Sequence, residues 1–184
     1  MEALLPMRHI TRFEWPYPVS LAFPLLGLAG LVVWWPVSLW RWPALVGALA
    51  GLAGWTLLEY VLHRFVLHRI EPFRTWHLAH HADPSGPIRV PVAFSLGLLL
   101  AVLGVPVLLL GADGMAGPVS AGLLLGQVVQ ESVHVRLHAP ADAGAGLARL
   151  CAHHAYHHQC DAERAFGTLT LFWDRCLGTA PPAR

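Results

Sequence analysis

Lysine is absent from this chain: all twelve basic residues are arginine, and eleven acids leave a formal charge of +1 at pH 7. Without a basic excess there is little counterion release to draw the protein onto a polyanion, which argues against a nucleic-acid partner. Cysteine is scarce as well. Cys151, Cys160 and Cys176 are too few and too scattered for a disulfide scaffold or a Cys-rich metal site. Charged residues make up only 12% of the 184, against roughly 25% in an ordinary soluble domain. In their place stand apolar residues, 55% of the chain, and the mean hydropathy is +0.52. Such a composition excludes a disordered chain or a coiled coil and points into a bilayer. The length suits a single unit over 1–184 rather than two large domains.

Four apolar stretches, 19–35, 42–58, 90–112 and 115–133, are expected to span the membrane. The third is long enough alone, whereas the others fall short of the ~20 residues that cross a hydrocarbon core and need flanking helix. Trp34, Trp35, Trp40 and Trp42 crowd the first link, as rings held at a headgroup interface do. In a two-hairpin arrangement nearly every arginine falls on the side opposite the links, and Arg41 is the exception. The positive-inside rule then places both termini and the histidine clusters in the cytoplasm. Pro24 and the Trp34-Trp35-Pro36 sequence, with no small-residue cleavage site, argue for a retained span rather than a signal peptide.

Histidine is the unusual abundance. Ten of the twelve copies form four clusters: His63 and His68; His77, His80 and His81; His134 and His138; His154, His157 and His158. On a helix, positions i, i+3 and i+4 fall within about 60° of one another, so the second and fourth clusters each present three imidazoles on one face and one turn can grip a metal. His63 and His68 are about 140° out of phase on an α-helix and are expected to serve different metals or opposite flanks of a site. Ten nitrogen ligands exceed the four of a structural zinc and favour two centres, divided five and five or four and six. Glu59, Glu131 and Asp161 stand near enough in sequence to orient His63, His134 and His158 through the second ring nitrogen. Their plainer roles are helix-end charge or ion pairs with Arg64, Arg136 or Arg164. His9 reads as a surface residue, His153 equally as surface residue or ligand, and Asp174 as a clasp on the C-terminal segment.

The segment Leu57-Leu58-Glu59-Tyr60-Val61-Leu62-His63-Arg64-Phe65-Val66-Leu67-His68, the boxes His77-Leu78-Ala79-His80-His81, Glu131 through His138 and His154-Ala155-Tyr156-His157-His158, and the tail from Phe166-Gly167-Thr168 to Gly178-Thr179 occur in order. Together, over 57–179, they resemble the fatty acid hydroxylase and sterol desaturase superfamily, most of all its fatty acid 2-hydroxylase branch. The resemblance implies an all-α integral membrane protein of four transmembrane helices with a cytosolic helical, histidine-rich cap holding two metals. It carries the ligand role to His63, His68, His77, His80, His81, His134, His138, His154, His157 and His158. It further implies two iron ions, with zinc able to replace them in purified protein, and molecular oxygen as co-substrate.

The expected reaction is hydroxylation of a long-chain acyl lipid at C2, in a bacterial inner membrane. The interval from His68 to His77 is shorter than in the longer eukaryotic relatives, and no cytochrome b5-like segment stands in these residues. The electron donor is therefore expected to be separate, a ferredoxin or a cytochrome b5-like protein. Trp76, Tyr156, Phe166, Phe172 and Trp173 either line the passage for the substrate or pack as core and interface, and Arg69, Arg74 and Arg89 either meet a headgroup or report topology. Competing readings are a carotenoid ring hydroxylase, a sterol or lipid desaturase, and a non-enzymatic membrane metal-binding or transport protein. The last calls for ionisable residues across the spans, which are almost uncharged here. Gly47, Gly51 and Gly54 suit close helix packing within one chain or between two.

Overall fold

A computed structural model describes residues 14–16, 19–35, 41–84, 86, 89–111, 114–139 and 145–182, so that His9, Trp40, Arg8 and Arg12 lie outside it. Among the described residues the regular structure is helical apart from one short antiparallel pair, β1 (Glu14–Pro16) against β2 (Arg89–Pro91), with Trp15 opposite Val90. Pro16 and Pro91 have no N–H to extend the ladder, which keeps the pair short. A 3-10 turn, Val19–Leu21, leads into α1 (Ala22–Trp34), whose 13 residues fall short of the expected span. α2 (Trp42–Val61) runs beyond the expected end and continues as a π-helical turn, Leu62–Leu67. α3 (Phe73–Ala82), α4 (Val92–Leu110), α5 (Ala116–Leu137), α6 (Ala148–Gln159) and the short α7 (Phe172–Cys176) follow.

Among the described residues two helices are long and apolar enough to cross a membrane, the continuous helix 42–67 and α4. Their most apolar windows are only 28% and 17% buried, so neither is the covered core helix of a soluble bundle. Val33, Trp34, Trp42, Leu100, Leu108 and Leu109 are mostly exposed, a bare apolar surface suited to lipid rather than water.

α2 and α5 touch backbone to backbone. A Cβ on Gly51 would lie 2.1 Å from the Val119 carbonyl oxygen, and one on Gly122 would lie 2.0 Å from that of Ala48. Only glycine permits this approach, and Gly47, facing Met115 and Pro118, extends the stripe. The small residues of α2 are thus used inside the chain. Trp55, Val102 and Leu124 form the buried centre of the bundle, and the Ser120 hydroxyl donates to the Val102 carbonyl (2.9 Å), tying α5 to α4. Because α2 and α5 are locked together, the histidines at their C-terminal ends meet at one level.

Candidate metal centre

The ten clustered histidines form two groups of five, and within each the ligand-capable atoms lie within 4.8 Å of one another. His63, His68, His77, His81 and His157 make the first group; His80, His134, His138, His154 and His158 make the second. The division is five and five: the two-histidine boxes each serve one centre, and the two three-histidine boxes are divided between both. α3 sends His77 and His81 to the first group and His80 to the second, while α6 sends His157 to the first and His154 and His158 to the second. The 60° spread of an i, i+3, i+4 triplet is wide enough for α3 and α6 to straddle both groups. At the seam the rings of His81 and His158 stack at 4.1 Å.

His63 and His68 belong to the same group, against the expectation from an α-helix. The π turn is the cause. The His68 amide donates to the His63 carbonyl (3.2 Å), and i→i+5 bonding places residues five apart about one turn above each other.

The nitrogen spacing suits shared cations. Nε2 of His77 lies 2.9 Å from Nε2 of His63 and 3.1 Å from that of His81, and the His68 and His157 Nε2 atoms are 3.1 Å apart. In the second group the separations are 3.2 Å for His134 and His138 and 3.0 Å for His138 and His154. Two nitrogens each ~2.1 Å from one cation stand about 3.0 Å apart at a right angle and about 3.4 Å apart at the tetrahedral angle.

Hydrogen bonding alone leaves this arrangement unsatisfied. His63 donates from Nδ1 to the Phe166 carbonyl and His157 from Nδ1 to the Arg164 carbonyl, both at 2.6 Å, so in their neutral forms each Nε2 is a bare lone pair. His77 Nε2 then faces two imidazole nitrogens and can satisfy one. In the second group His80 Nε2 and both nitrogens of His158 are buried without a hydrogen-bond partner. An all-nitrogen donor set fits a transition metal and not calcium or magnesium.

Burial, reinforced by neighbouring imidazoles and charges, lowers His68 and His80 to about 4 and His81 to about 3. Burial likewise pushes His77, His154, His157, His158 and His138 below the ordinary value. Neutral imidazole, the coordinating form, is thereby favoured.

The loop around Ala165 orients two ligands of the first group at once. Ala165 adopts φ 60°, the left-handed conformation that L residues other than glycine seldom take. It directs the carbonyls on either side, Arg164 and Phe166, onto His157 and His63. Asp174, fully buried, holds the loop. Its Oδ1 accepts from the Phe166 amide (2.9 Å) and the Thr179 hydroxyl (2.7 Å), and its Oδ2 accepts from the Gly167 amide (2.8 Å) and contacts His153 Nε2 (2.9 Å). Burial raises the Asp174 carboxyl, yet these bonds outweigh it and hold the group below its ordinary value. His153 is therefore a partner of Asp174, outside both groups, and Asp174 is the expected clasp.

None of the three acids orients the histidine expected of it. Glu59 accepts from the Thr168 amide and hydroxyl and from the Leu169 amide, which anchors the tail to α2. Glu131 accepts from Ser20 and Gln127, and Asp161 caps the Glu163 amide and pairs with Arg164. For His63 and His157 the orienting groups are instead backbone carbonyls, which carry no residue-type signal. Among the aromatic candidates, Phe166 packs its ring on His63, His68 and His157, and Trp173 donates to Thr56. Arg69 pairs with Glu163 and Arg74 with Glu71.

Residues 48–179, which contain all ten histidines of the two groups, match the family described as fatty acid hydroxylase. The chain belongs to the fatty acid hydroxylase family. Within it the chain lies with the 2-hydroxylase branch. It is 33% identical over 143 residues to the fatty acid 2-hydroxylase of Homo sapiens, covering 71% of this chain and 38% of that one. To the ceramide very long chain fatty acid hydroxylase scs7 of Schizosaccharomyces pombe it is 34% identical, with coverages of 72% and 41%. To the dihydroceramide fatty acyl 2-hydroxylase FAH2 of Arabidopsis thaliana it is 31% identical, with coverages of 71% and 59%. A solved structure, full-length scs7p with only the hydroxylase domain visible, superposes with a TM-score of 0.71 at 25% identity, over 89% of this chain and 64% of that one. The chain thus spans about two fifths of the first two of these relatives.

In this member of the family a cavity of about 170 Å³ opens between the histidines and the helix bundle. His63 and His77 of the first group and His80 and His134 of the second border it. Trp55, Leu62, Phe73, Trp76, Phe94 and Leu98 supply its apolar wall. Trp76 is the one aromatic among those expected to line the passage that does so directly, whereas Tyr156 lines a separate groove beside α6.

Proposed function

We propose that this chain is the hydroxylase unit of an oxygen-dependent enzyme that installs a hydroxyl group at C2 of a long-chain acyl lipid. The metal ligands are the two histidine pentads, and the physiological metal is iron at both. Two ferrous ions held there would supply the reduction of dioxygen and the removal of hydrogen from an unactivated C–H bond. One observation carries the reading: both pentads border a single cavity whose apolar wall is built by Trp55, Leu62, Phe94 and Leu98 of the two membrane-type helices together with Phe73 and Trp76 of α3.

The chain's own residues contribute position and exclusion of water. The Phe166 and Arg164 carbonyls fix His63 and His157 with Nε2 toward the centre. The cavity is smaller than the roughly 300–1,000 Å³ of pockets that engulf a drug-sized ligand. It therefore takes the reacting end of a long chain and leaves the remainder among the apolar helices. In the bilayer, α1 and α5 complete a four-span bundle with α2 and α4, and α3, α6 and the segment 160–182 form a cap on the cytosolic side. A single domain, 1–184, carries both parts. Electrons come from a ferredoxin or a cytochrome b5-like carrier, since the three cysteines of these residues are free and dispersed and build no iron–sulfur site among them.

The test is anaerobic loading with ferrous iron in membranes, followed by reductant, labelled oxygen and a mixed lipid extract, read by mass spectrometry. A labelled 2-hydroxyacyl product that requires protein, oxygen and reductant supports the reading. A product lighter by two hydrogens and without label replaces it with desaturation. A labelled carotenoid or sterol replaces the substrate.

A further inference from the structure

Helix α6 turns metal ligands to one side and a groove to the other. At 100° per residue, Arg149, His153, Tyr156 and Cys160 fall within about 60° of one another, on the side away from His154, His157 and His158. They line a groove of about 600 Å³ that Arg175 of α7 borders from across. Arg149, Arg175 and Cys160 are exposed, and His153 is its buried floor. That floor is connected. His153 Nε2 lies 2.9 Å from Asp174 Oδ2, the Phe166 amide donates to Asp174 Oδ1 at 2.9 Å, and His63 Nδ1 donates to the Phe166 carbonyl at 2.6 Å. Three hydrogen bonds and one residue of backbone thus join the groove to a ligand of the first pentad, and Tyr156 adjoins His157, a second ligand of the same pentad, along the chain.

Two guanidinium groups on the rim make this groove complementary to carboxylates, with which arginine pairs bidentately, and arginine and tyrosine are residues that protein interfaces favour. The bonded line beneath gives a docked surface a reason to carry a redox group. We propose that the groove between α6 and α7 is the docking surface of an electron carrier whose redox group is ringed by carboxylates, with Arg149 and Arg175 holding it over His153. The proposal rests on the hydroxylase reading and adds where the reductant of that reaction binds. Each docking oxidises the carrier by one electron and reduces one ferric ion to ferrous. Two dockings reduce both ions, and no bond is made or broken in the protein.

The experiment places the full chain, zinc-loaded, in phosphatidylcholine nanodiscs and follows alkylation of Cys160, exposed in the groove, by mass spectrometry. Two oxidised carriers serve as probes, the haem domain of cytochrome b5 and a plant-type [2Fe–2S] ferredoxin. At least one should slow the alkylation about fivefold or more at low ionic strength, and about 0.5 M salt should remove the protection. Arg149→Glu combined with Arg175→Glu should abolish it. In iron-loaded protein the same double change should slow anaerobic reduction by that carrier at least about tenfold, while reduction by dithionite, which needs no docking surface, stays unchanged. Protection by neither carrier overturns the inference, as do protection and reduction rates that the double change leaves unaltered. Protection by phosphatidylglycerol in the nanodisc and by neither carrier assigns the arginines to the lipid surface instead. Hydroxylation on admitting oxygen after dithionite reduction upholds the hydroxylase reading in each of these cases, and its absence overturns that reading whatever the groove binds.

Discussion

Replacing Asp174 by asparagine should weaken one metal centre and spare the other. The change is nearly isosteric, but an amide presents an NH2 group where one carboxylate oxygen stood. If it occupies the Oδ2 position, the Gly167 amide at 2.8 Å meets a donor instead of an acceptor, while His153 can change tautomer and adapt. One buried N–H left unpaired costs about 1–3 kcal/mol, and the remaining bonds lose their charge assistance. The loop released is the one whose Phe166 and Arg164 carbonyls hold His63 and His157, both in the first pentad. Loss of such outer contacts typically lowers metal affinity about 10–100-fold. Among the described residues the second pentad makes no hydrogen bond to this loop, so its affinity should change by less than about threefold. Anaerobic zinc titration against a chromophoric chelator resolves the two sites. Equal weakening of both, or a fall in Tm with both affinities intact, would refute the assignment of the loop to the first centre.

Acidification provides a second check. His68, His80 and His81 have folded values of about 4, 4 and 3, below the ~6.5 of the unfolded chain, so their contribution is complete above that pH and is lost as pH falls through the folded values. Metal measured after gel filtration should remain bound at about pH 5.5 and leave below about pH 4, and release by pH 5.5 would mean that the imidazoles are open to water. Gly122→Ala drives a methyl group into the Ala48 carbonyl and should cost about 1–3 kcal/mol by forcing α2 and α5 apart; an unchanged Tm in detergent would show that the helices do not touch. His154→Gln should reduce bound metal toward one equivalent, whereas His153→Gln, outside both pentads, should leave two; elemental analysis separates them, and equal losses would place His153 in the centre.

The sequence alone was enough for the membrane character, the histidine set and the family resemblance. Hydropathy is a sum over residues, and four boxes at helical spacing are a pattern of residue types, so neither depends on how helices are arranged. It was also enough to place Asp174 as a clasp. The extent of the helices was less legible: α5 reaches Leu137 and α2 continues through a π turn, because polar residues that interrupt an apolar run do not interrupt backbone hydrogen bonding. The Glu59 partners Thr168 and Leu169 and the Glu131 partner Ser20 lie 109 to 111 positions away, so spacing near a histidine said nothing about them.

What only the tertiary structure decided is the allocation of ligands. The boxes on α3 and α6 are shared between two centres because the helices face each other across the seam, and His63 joins His68 because a π turn replaces an α turn between them. The orientation of His63 and His157 comes from the carbonyls flanking Ala165. Every residue has a carbonyl, so its role is set by where the chain turns and not by which side chain it bears.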